Sequence, residues 1–561
     1  MTTTTSPRTP TAIDGIAEDY AKAYAALDPL AATSIGIPGF DDQMTDHSPA
    51  GIAERAELAR STVRALQTAE PVDEVDRVTV AAMSERLGLD GEFFDSGEVF
   101  ADLNNIASPV QGLRDIFDLV PTATTEDWQN IAARLSKIPR AMDGYIESLR
   151  LAASQGKVAA IRQVEEALRQ SALQAGDESF FPGFVDGAGD LASDGLKAEL
   201  ADGVAAAQSA YGKLTAFLAS ELAPQAPSQD GVGRERYRLF SRMFLGAEVD
   251  LDETYAWGVE ELRRITDEQT RIAAQIAGPG ASVEKAVAAL DADPTYVLNG
   301  TDALKTWMQT TSDQAIEDLG GTHFDIDGPM RTLECLIAPT HTGVIYYTAP
   351  SDDFSRPGRM WWSVPEGQDT FGTWREKTTV YHEGVPGHHL QIAAAVAKKD
   401  TLNSWRRLMC WVSGHGEGWA LYAEELMAEL GYLDDPADRL GMLDGQRLRA
   451  ARVVFDIGMH LGLKAPAEYG GQVWTPEAGL DFLRSNVNMT DDFVKFEWMR
   501  YLGWPGQAPS YKIGQRIWQQ VRKEAEAAAG ADFNARDFHT RALNLGALPL
   551  SVLSDAVLGK L

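Results

Sequence analysis

Three of the nine histidines lie within eight residues of one another, at His382, His388 and His389. Glu383 directly follows the first of them. A His-Glu pair followed by a second histidine is how hydrolytic zinc enzymes place two imidazole ligands and a general base together. These residue types in this order therefore indicate a metal-dependent hydrolase.

The spacing of the cluster departs from the usual His-Glu-x-x-His pattern, in which both ligands lie one turn apart on one helical face. Here Pro386 occupies the i+4 position and Gly387 follows it. Proline removes a backbone donor and clashes with the preceding turn, and glycine permits unusual dihedral angles, so we expect the helix to bulge or break. A bulge would bring His388 to the place of the i+4 ligand. We prefer His388 as the second ligand and keep His389 as the alternative.

A third ligand is required, because a catalytic zinc usually has three protein ligands and a water molecule. The segment from Gly414 to Glu425 supplies two candidates on one face of a predicted helix. Glu417, at the helix start, is the expected ligand, and Glu424 is the expected acceptor that orients a ligand imidazole. We predict one Zn²⁺ per chain, although the sequence does not distinguish zinc from manganese or cobalt.

Arg452, Asp456 and His460 are spaced four residues apart and share one side of a predicted helix. We expect His460 to be catalytic, as a donor to the oxyanion of the reaction, and Asp456 to support the site from behind. Arg452 is a candidate for substrate binding. A structural ion pair between Arg452 and Asp456 is the alternative interpretation.

A turn rich in proline and glycine near residues 497–514 offers further polar groups. Tyr511 is the second expected donor to the oxyanion. We also expect Arg500, Gln507 and Lys512 to bind substrate. The charged groups of Arg452, Arg500 and Lys512 could pair with a substrate carboxylate. Such a pair would favour carboxypeptidase action.

The composition excludes several classes of function. The 561 residues include 50 Lys and Arg against 82 Asp and Glu, a net charge of −32 that repels nucleic acids and anionic lipids. Two cysteines are too few for a disulfide framework or a cysteine metal cluster. With no long apolar run and no secretory signal pattern, we expect a cytoplasmic protein without nucleic-acid or membrane partners. Its oligomeric state is not predicted.

The apolar residues recur mainly at helical spacing, which predicts a mostly α fold. Between His323 and Pro365 the pattern changes, and the runs 344–347 and 360–364 predict two short strands around a loop. We expect a disordered tail over residues 1–11, an N-terminal helical lobe over 12–320 and a metal-binding catalytic lobe over 321–561. The two lobes should pack closely as one functional unit.

These motifs resemble the bacterial domain of unknown function 885. The resemblance rests mainly on four segments and extends over nearly the whole chain; the segments are 382–391, 417–424, 452–460 and 504–514. It implies a large two-lobed helical body with a deep cleft, similar to gluzincin-type helical zinc peptidases, with the small sheet beside the metal-site helix. By this likeness His382, His388 and Glu417 match the ligand positions, and Glu383 matches the general base.

The expected function is that of a zinc-dependent peptidase that hydrolyses short peptides, as an oligopeptidase or a carboxypeptidase. Glu383 would act as the general base that activates water. Two alternatives stay open, a zinc hydrolase of non-peptide amides or esters and a non-catalytic, metal-dependent peptide-binding protein. Glu383 argues against the binding protein, because a glutamate beside the ligands has no necessary role in holding the metal.

Overall fold

The computed structural model describes residues 8–339 and 345–561. Helices dominate this part of the chain, which confirms the mostly α fold class. The α-helices of the described residues are α1 (Ala12–Leu27), α2 (Pro29–Ile35), α3 (Pro49–Thr68), α4 (Glu74–Ser96), α5 (Pro109–Asp115), α6 (Thr125–Ser154), α7 (Ile161–Ala175), α8 (Phe180–Asp186), α9 (Asp194–Phe217), α10 (Arg234–Leu245), α11 (Leu251–Ala277), α12 (Val283–Asp291), α13 (Thr301–Leu319), α14 (Thr373–Glu383), α15 (His388–Val396), α16 (Ser413–Glu429), α17 (Pro436–Leu461), α18 (Pro476–Asn486), α19 (Asp491–Gly503), α20 (Ser510–Ala529), α21 (Ala535–Asn544) and α22 (Leu550–Val557). None of these described helices is both long enough and apolar enough to cross a membrane.

Two small sheets interrupt the helices. Their strands are β1 (Val297–Asn299), β2 (Leu333–Ile337), β3 (Ile345–Thr348), β4 (Gly358–Trp362) and β5 (Thr370–Gly372). In the three-stranded sheet, β4 pairs parallel with β2 and antiparallel with β3, whereas β1 pairs antiparallel with β5. The two predicted strands are thus found as β3 and β4, and Val344 of the first lies outside the described residues. Because β5 runs directly into α14, the two-stranded sheet lies beside the helix that carries His382. The three-stranded sheet reaches the end of the same helix, where Met360 of β4 and Leu333 of β2 lie next to Gly384.

Two hydrophobic clusters form the core of the described residues. The smaller cluster consists of residues between 103 and 222. The larger one joins α1 near the start of the chain to α22 near its end and includes residues on both sides of position 320. The predicted division into lobes at residue 320 stays a prediction, since the larger core spans that position.

The N-terminal segment is described from Arg8 onward, and residues 1–7 of the predicted tail lie outside the described residues. The Arg8 guanidinium contacts three carboxylates, at 2.5 Å from Asp14, 2.6 Å from Asp73 and 2.5 Å from Asp76. Thr11 then caps α1 by accepting a hydrogen bond from the Asp14 amide. These contacts hold residues 8–11 against α1 and α4.

Helix α17 carries much of the polar chemistry and is delimited by strong local signals. The Asp435 side chain accepts a hydrogen bond from the Ala437 amide, and Pro436 occupies the first helical position. The helix ends at Gly462, whose φ of 66° lies in the left-handed region that favours glycine. The sequence between these signals forms one long helix.

Helices α16 and α20 approach each other closely through glycine. A Cβ atom on Gly514 would lie 2.1 Å from the Gly414 carbonyl oxygen, and one on Gly418 would lie 2.5 Å from the Gly514 carbonyl carbon. Any side chain at these positions would force the two backbones apart. The contact therefore brings the first turns of both helices together, with Glu417 on one and Tyr511 on the other.

Candidate metal centre

The helix of the His-Glu motif breaks where Pro386 predicts a bulge or break. Helix α14 ends at Glu383 and α15 begins at His388. The Gly387 amide donates to the Tyr381 carbonyl at 3.0 Å, and a Cβ atom on Gly387 would lie only 1.9 Å from the His382 carbonyl oxygen. This tight return of the chain places the His388 ring beside that of His382, with centroids 4.9 Å apart.

His382, His388 and Glu417 converge on one point. The Nε2 atom of His382 lies 3.4 Å from Oε2 of Glu417, and the Nε2 atom of His388 lies 3.5 Å from the same oxygen. One ligand atom from each residue lies within 4.8 Å of the other two. The structure thus brings together the three residues that the sequence analysis proposes as metal ligands.

This donor set fits a zinc ion. Two imidazole nitrogens and one carboxylate oxygen are a common protein contribution to catalytic zinc sites. Donors about 2.0–2.1 Å from a tetrahedral ion lie about 3.3 Å from one another, close to the separations of the two imidazoles from Glu417. Glu383, Glu417 and Glu424 lie around His382 and concentrate negative charge there, which a bound cation would offset.

Glu424 orients the first imidazole. Its Oε1 atom lies 2.7 Å from Nδ1 of His382, and its Oε2 atom accepts a hydrogen bond from the Thr378 hydroxyl at 2.9 Å. In the neutral ring, a hydrogen on Nδ1 leaves the lone pair on Nε2, the atom that faces Glu417. Burial lowers the pKa of His382, but the carboxylates of Glu417 and Glu424 raise it to about 10.

Glu383 lies beside the ligands with a free carboxylate. Its side chain makes no hydrogen bond or ion pair with any described residue, although the residue is only 8% exposed. Burial raises its pKa, and the positive charges of His388 and His382 oppose that rise. A buried carboxylate without a partner among the described residues, next to a possible metal-ligand set, can serve as a general base.

His389, the alternative ligand, is occupied elsewhere. Its Nδ1 atom lies 3.0 Å from the Tyr347 hydroxyl, and its Nε2 atom lies 2.9 Å from the Met330 carbonyl oxygen. Both ring nitrogens are therefore used to hold α15 against β3 and the segment before β2. By contrast, the Nε2 atom of His388 faces Glu417. The geometry favours His388 over His389.

His460 and Asp456 lie outside the cluster. The Nε2 atom of His460 donates to the Tyr501 carbonyl at 2.8 Å, and burial lowers its pKa to about 4. Asp456 accepts hydrogen bonds from the Tyr237 hydroxyl at 2.6 Å and from the Gly506 amide at 3.0 Å. These bonds fasten α17 to α10 and to the turn after α19. We therefore place both residues in the packing around α17 and not at the metal ligands.

Tyr511 is the predicted oxyanion donor that the structure places near the cluster. Burial raises the pKa of its phenol, and the negative charge of Glu417 raises it further. The hydroxyl makes no hydrogen bond with a described residue. The Arg452 guanidinium packs against the face of the ring in a cation–π contact, with its carbon 4.8 Å from the ring centroid. The ring is therefore held in place, while the hydroxyl has no hydrogen-bond partner among the described residues.

The arginines proposed to bind substrate are already paired. Arg452 and Arg500 share the carboxylate of Glu497, at 2.7 and 2.9 Å respectively, and all three residues are buried. The structural ion pair considered for Arg452 is found, but with Glu497 in place of Asp456. Gln507 accepts a hydrogen bond from Arg500 and extends the same network.

Lys512 is also committed within the protein. Its ammonium contacts Glu261 at 2.9 Å, Gln446 at 2.6 Å and Gln515 at 2.8 Å. Three acceptors fill the three donor positions of an ammonium group. Lys512 therefore has no donor left for a substrate, and the charges of Arg452 and Arg500 are already paired with that of Glu497.

Two residues near the cluster escaped the sequence analysis. Trp411 is 50% exposed, its indole covers Gly416, and its ring centroid lies 6.3 Å from that of His388. Arg449 lies on α17, and no acidic side chain of the described residues pairs with it. The one available signal for Arg449 was its place three residues before Arg452, on the same helical face.

Comparisons with known proteins agree with this fold. A crystal structure named as that of a putative lipoprotein from Colwellia psychrerythraea is similar over 97% of this chain and 98% of its own, with a TM-score of 0.83 and 22% identity. A second, named as a putative lipoprotein of unknown function from Shewanella oneidensis, matches 98% of this chain and 100% of its own, with a TM-score of 0.76 and 16% identity. At these identities the likeness shows the fold alone.

None of the curated proteins compared with the chain matches it. A family model does match, over residues 29–557, and its description is that of a bacterial protein of unknown function, DUF885. The match covers almost the whole chain, including the His-Glu motif, α16, α17 and α20. The chain belongs to the DUF885 family.

Proposed function

We propose that this protein is a zinc-dependent peptidase that hydrolyses short peptides. The observation that carries the proposal is the convergence of His382 and His388 on one oxygen of Glu417, with the free carboxylate of Glu383 beside them. His382, His388 and Glu417 would hold one zinc ion per chain. The uncommitted acid favours catalysis over a purely binding role, because ligation does not require it.

The roles of the chain's own residues follow from their contacts. A bound zinc ion would supply Lewis-acid polarisation of the reacting oxygen atoms. Glu383 takes a proton from the attacking water molecule and transfers it to the leaving amine. The Tyr511 hydroxyl donates to the oxyanion that forms as water adds to the carbonyl. Glu424 holds the His382 ring in the required tautomer throughout.

The surroundings of the cluster favour a substrate that is large enough to contact both the proposed ligands and an apolar surface beside them. Trp411 presents a half-exposed indole next to His388, and such a ring offers a large apolar contact at little cost in conformational entropy. The Glu417 side chain is 18% exposed, so the cluster is not sealed from solvent. A peptide side chain can pack on the indole while its backbone reaches the ligands.

The test is digestion of a peptide library by the wild type and by Glu383→Gln, read by mass spectrometry at equal metal content. We expect cleavage by the wild type and a loss of at least about a hundredfold in the variant, the scale of a general-base contribution. Glu366→Gln, an exposed change of the same kind, should cut normally. If both proteins bind metal and neither cuts peptides, the peptidase proposal fails and amides or esters become the substrates to test.

The cytoplasmic location expected from the sequence stays a prediction. Both similar structures carry the name of a putative lipoprotein, which makes the cell envelope the alternative location. Immunodetection of the natural protein in separated cytoplasmic and envelope fractions decides between them. Recovery in the envelope fraction would overturn the sequence-based expectation.

A further inference from the structure

Arg449 lies between two parts of the proposed site. Gln446, Arg449 and Arg452 follow one another at intervals of three on α17, so Arg449 is the neighbour of each of the other two on the helix surface. Gln446 lies 3.4 Å from Oε2 of Glu424, the residue that orients His382. Arg452 lies under the ring of Tyr511. Arg449 lies between these two residues on the helix.

Arg449 lies within electrostatic range of two groups of the proposed site. Burial raises the pKa of Glu383, and Arg449 is one of the positive charges that lower it. Burial likewise raises the pKa of Tyr511, and Arg449 is again among the charges that oppose the rise.

Arg449 lacks the partner that its neighbours have. Arg452 and Arg500 pair with Glu497, and Lys512 pairs with Glu261. Among the described residues no carboxylate oxygen lies within 4.0 Å of the Arg449 guanidinium. Its one hydrogen bond, of 3.2 Å, goes to the Gly445 carbonyl on its own helix.

The Nε atom of Arg449 is buried without an acceptor, while the residue as a whole is only partly covered. A buried donor without a partner costs stability, because water is lost and nothing replaces it. A guanidinium presents its donors as a planar fork that matches a carboxylate. Because no carboxylate of the described residues pairs with this guanidinium, it can pair with an acidic group supplied from outside the chain.

We infer that Arg449 binds the C-terminal carboxylate of the substrate, so that the substrates are short peptides with a free C terminus. This inference rests on the proposed function. The backbone carboxylate is the one anionic group that all unmodified peptides share, and a guanidinium pairs with a carboxylate through two parallel hydrogen bonds. Arg449 therefore fixes which end of the peptide enters and places the scissile bond close to the C terminus.

The experiment compares acids with amides. Pools of acetylated tetrapeptides of random sequence, one with free C termini and one with C-terminal amides, are mixed equally with the zinc-loaded Glu383→Gln protein. Retained peptides are counted by mass spectrometry. The measurement is repeated with Arg449→Gln and Arg449→Lys in the same background, and with Arg238→Gln, an exposed arginine on α10, as the control of equal charge change. Thermal unfolding establishes that each variant is folded.

We expect the acids to be retained about 10- to 100-fold over the amides, the scale of hydrogen bonds to a charged group. Arg449→Gln should bring this ratio close to one, Arg449→Lys should give an intermediate ratio, and Arg238→Gln should leave it unchanged. Equal retention of acids and amides by the Glu383→Gln protein, or an unchanged ratio in folded Arg449→Gln, overturns the inference.

Cleavage of the same pools separates the two proposals. A wild type that cuts both pools at equal rates keeps the peptidase proposal and contradicts the role of Arg449. A wild type that cuts neither pool, while retention of acids still depends on Arg449, keeps the carboxylate site and contradicts hydrolysis. Preferential cleavage of the free acids, lost in Arg449→Gln, supports both.

Discussion

His382 and Glu424 are joined by a hydrogen bond of 2.7 Å between Nδ1 and Oε1, and both side chains are almost completely buried. The bond leaves the opposite nitrogen of the imidazole free to face Glu417. Because Glu424 is itself held by a hydrogen bond from Thr378, turning the ring would break its hydrogen bond to a carboxylate that is fixed in place. The orientation of the first proposed ligand is therefore set before any metal binds.

Removing the charge of Glu424 should weaken the metal site. We expect Glu424→Gln to bind zinc about 10- to 100-fold less tightly, because a neutral amide is a poorer acceptor for the imidazole hydrogen. Competition with a chelator of known affinity measures the change. Glu425→Gln is the matched control, because it makes the same change on the same helix at a residue that bonds Gln515, at 2.7 Å, in place of a proposed ligand. Equal affinities for both variants would contradict the role given to Glu424.

The two adjacent histidines should give opposite results. His388→Ala should lose bound zinc and stay folded, because the substitution removes one proposed ligand. His389→Ala should keep one zinc ion but lower the free energy of unfolding by about 1–3 kcal/mol, since it leaves the Tyr347 hydroxyl and the Met330 carbonyl without their partner. Metal content by mass spectrometry and urea unfolding measure both effects. Zinc loss in His389→Ala alone would reverse the assignment.

Tyr511→Phe tests the oxyanion donor. The phenylalanine ring keeps the contact with Arg452 and removes only the hydroxyl. We expect kcat to fall about 10²- to 10³-fold with KM nearly unchanged, as for the loss of one oxyanion donor. Steady-state kinetics on a cleaved library peptide give the result. A rise in KM at constant kcat would instead make Tyr511 a residue that binds substrate in the ground state.

The convergence of His382, His388 and Glu417 could be predicted from the sequence because its signals are local. The order of His382, Glu383 and His388, with Pro386 between them, already predicts a break that brings the two imidazoles together, and the structure shows that break. Glu417 is also marked locally, by glycines around a helix start. The mostly α fold and the strands β3 and β4 follow from periodicity in the same way.

The roles of the cations could not be predicted, because they depend on distant partners. Arg449 and Arg452 are alike in the sequence, but only Arg452 meets Glu497, which is 45 residues away in the chain. His460 has the spacing expected of a site residue, yet its imidazole hydrogen-bonds the Tyr501 carbonyl of α19. No local sequence pattern predicts that contact. Helical spacing shows which residues share a face and leaves open what that face meets.

Asp456 predicts a dependence of stability on pH. Burial raises its pKa to about 7, although Tyr237 and Gly506 donate hydrogen bonds that oppose the rise. The folded protein therefore holds a proton that the unfolded chain releases above about pH 4. The stabilisation is complete below that pH and is lost as the pH rises through about 7, at up to about 1.4 kcal/mol per pH unit.

Asp456→Asn should remove this dependence. The amide oxygen still accepts from Tyr237 and Gly506, and the side chain cannot ionise. We expect the free energy of unfolding of the variant, relative to the wild type, to increase from pH 5 to pH 7. Urea unfolding of the metal-free proteins across this range measures it. Parallel pH profiles for the two proteins would contradict the assignment of this proton to Asp456.

The most direct test of the central claim measures bound zinc and peptide cleavage on the same samples. Metal-free protein is titrated with zinc, and both the zinc bound per chain and the rate of cleavage of a peptide library are recorded. We predict no cleavage without zinc, and a rate that rises in proportion to bound zinc and stops rising at one ion per chain. Full cleavage by the metal-free protein, or binding of one zinc ion without any cleavage, would contradict the claim.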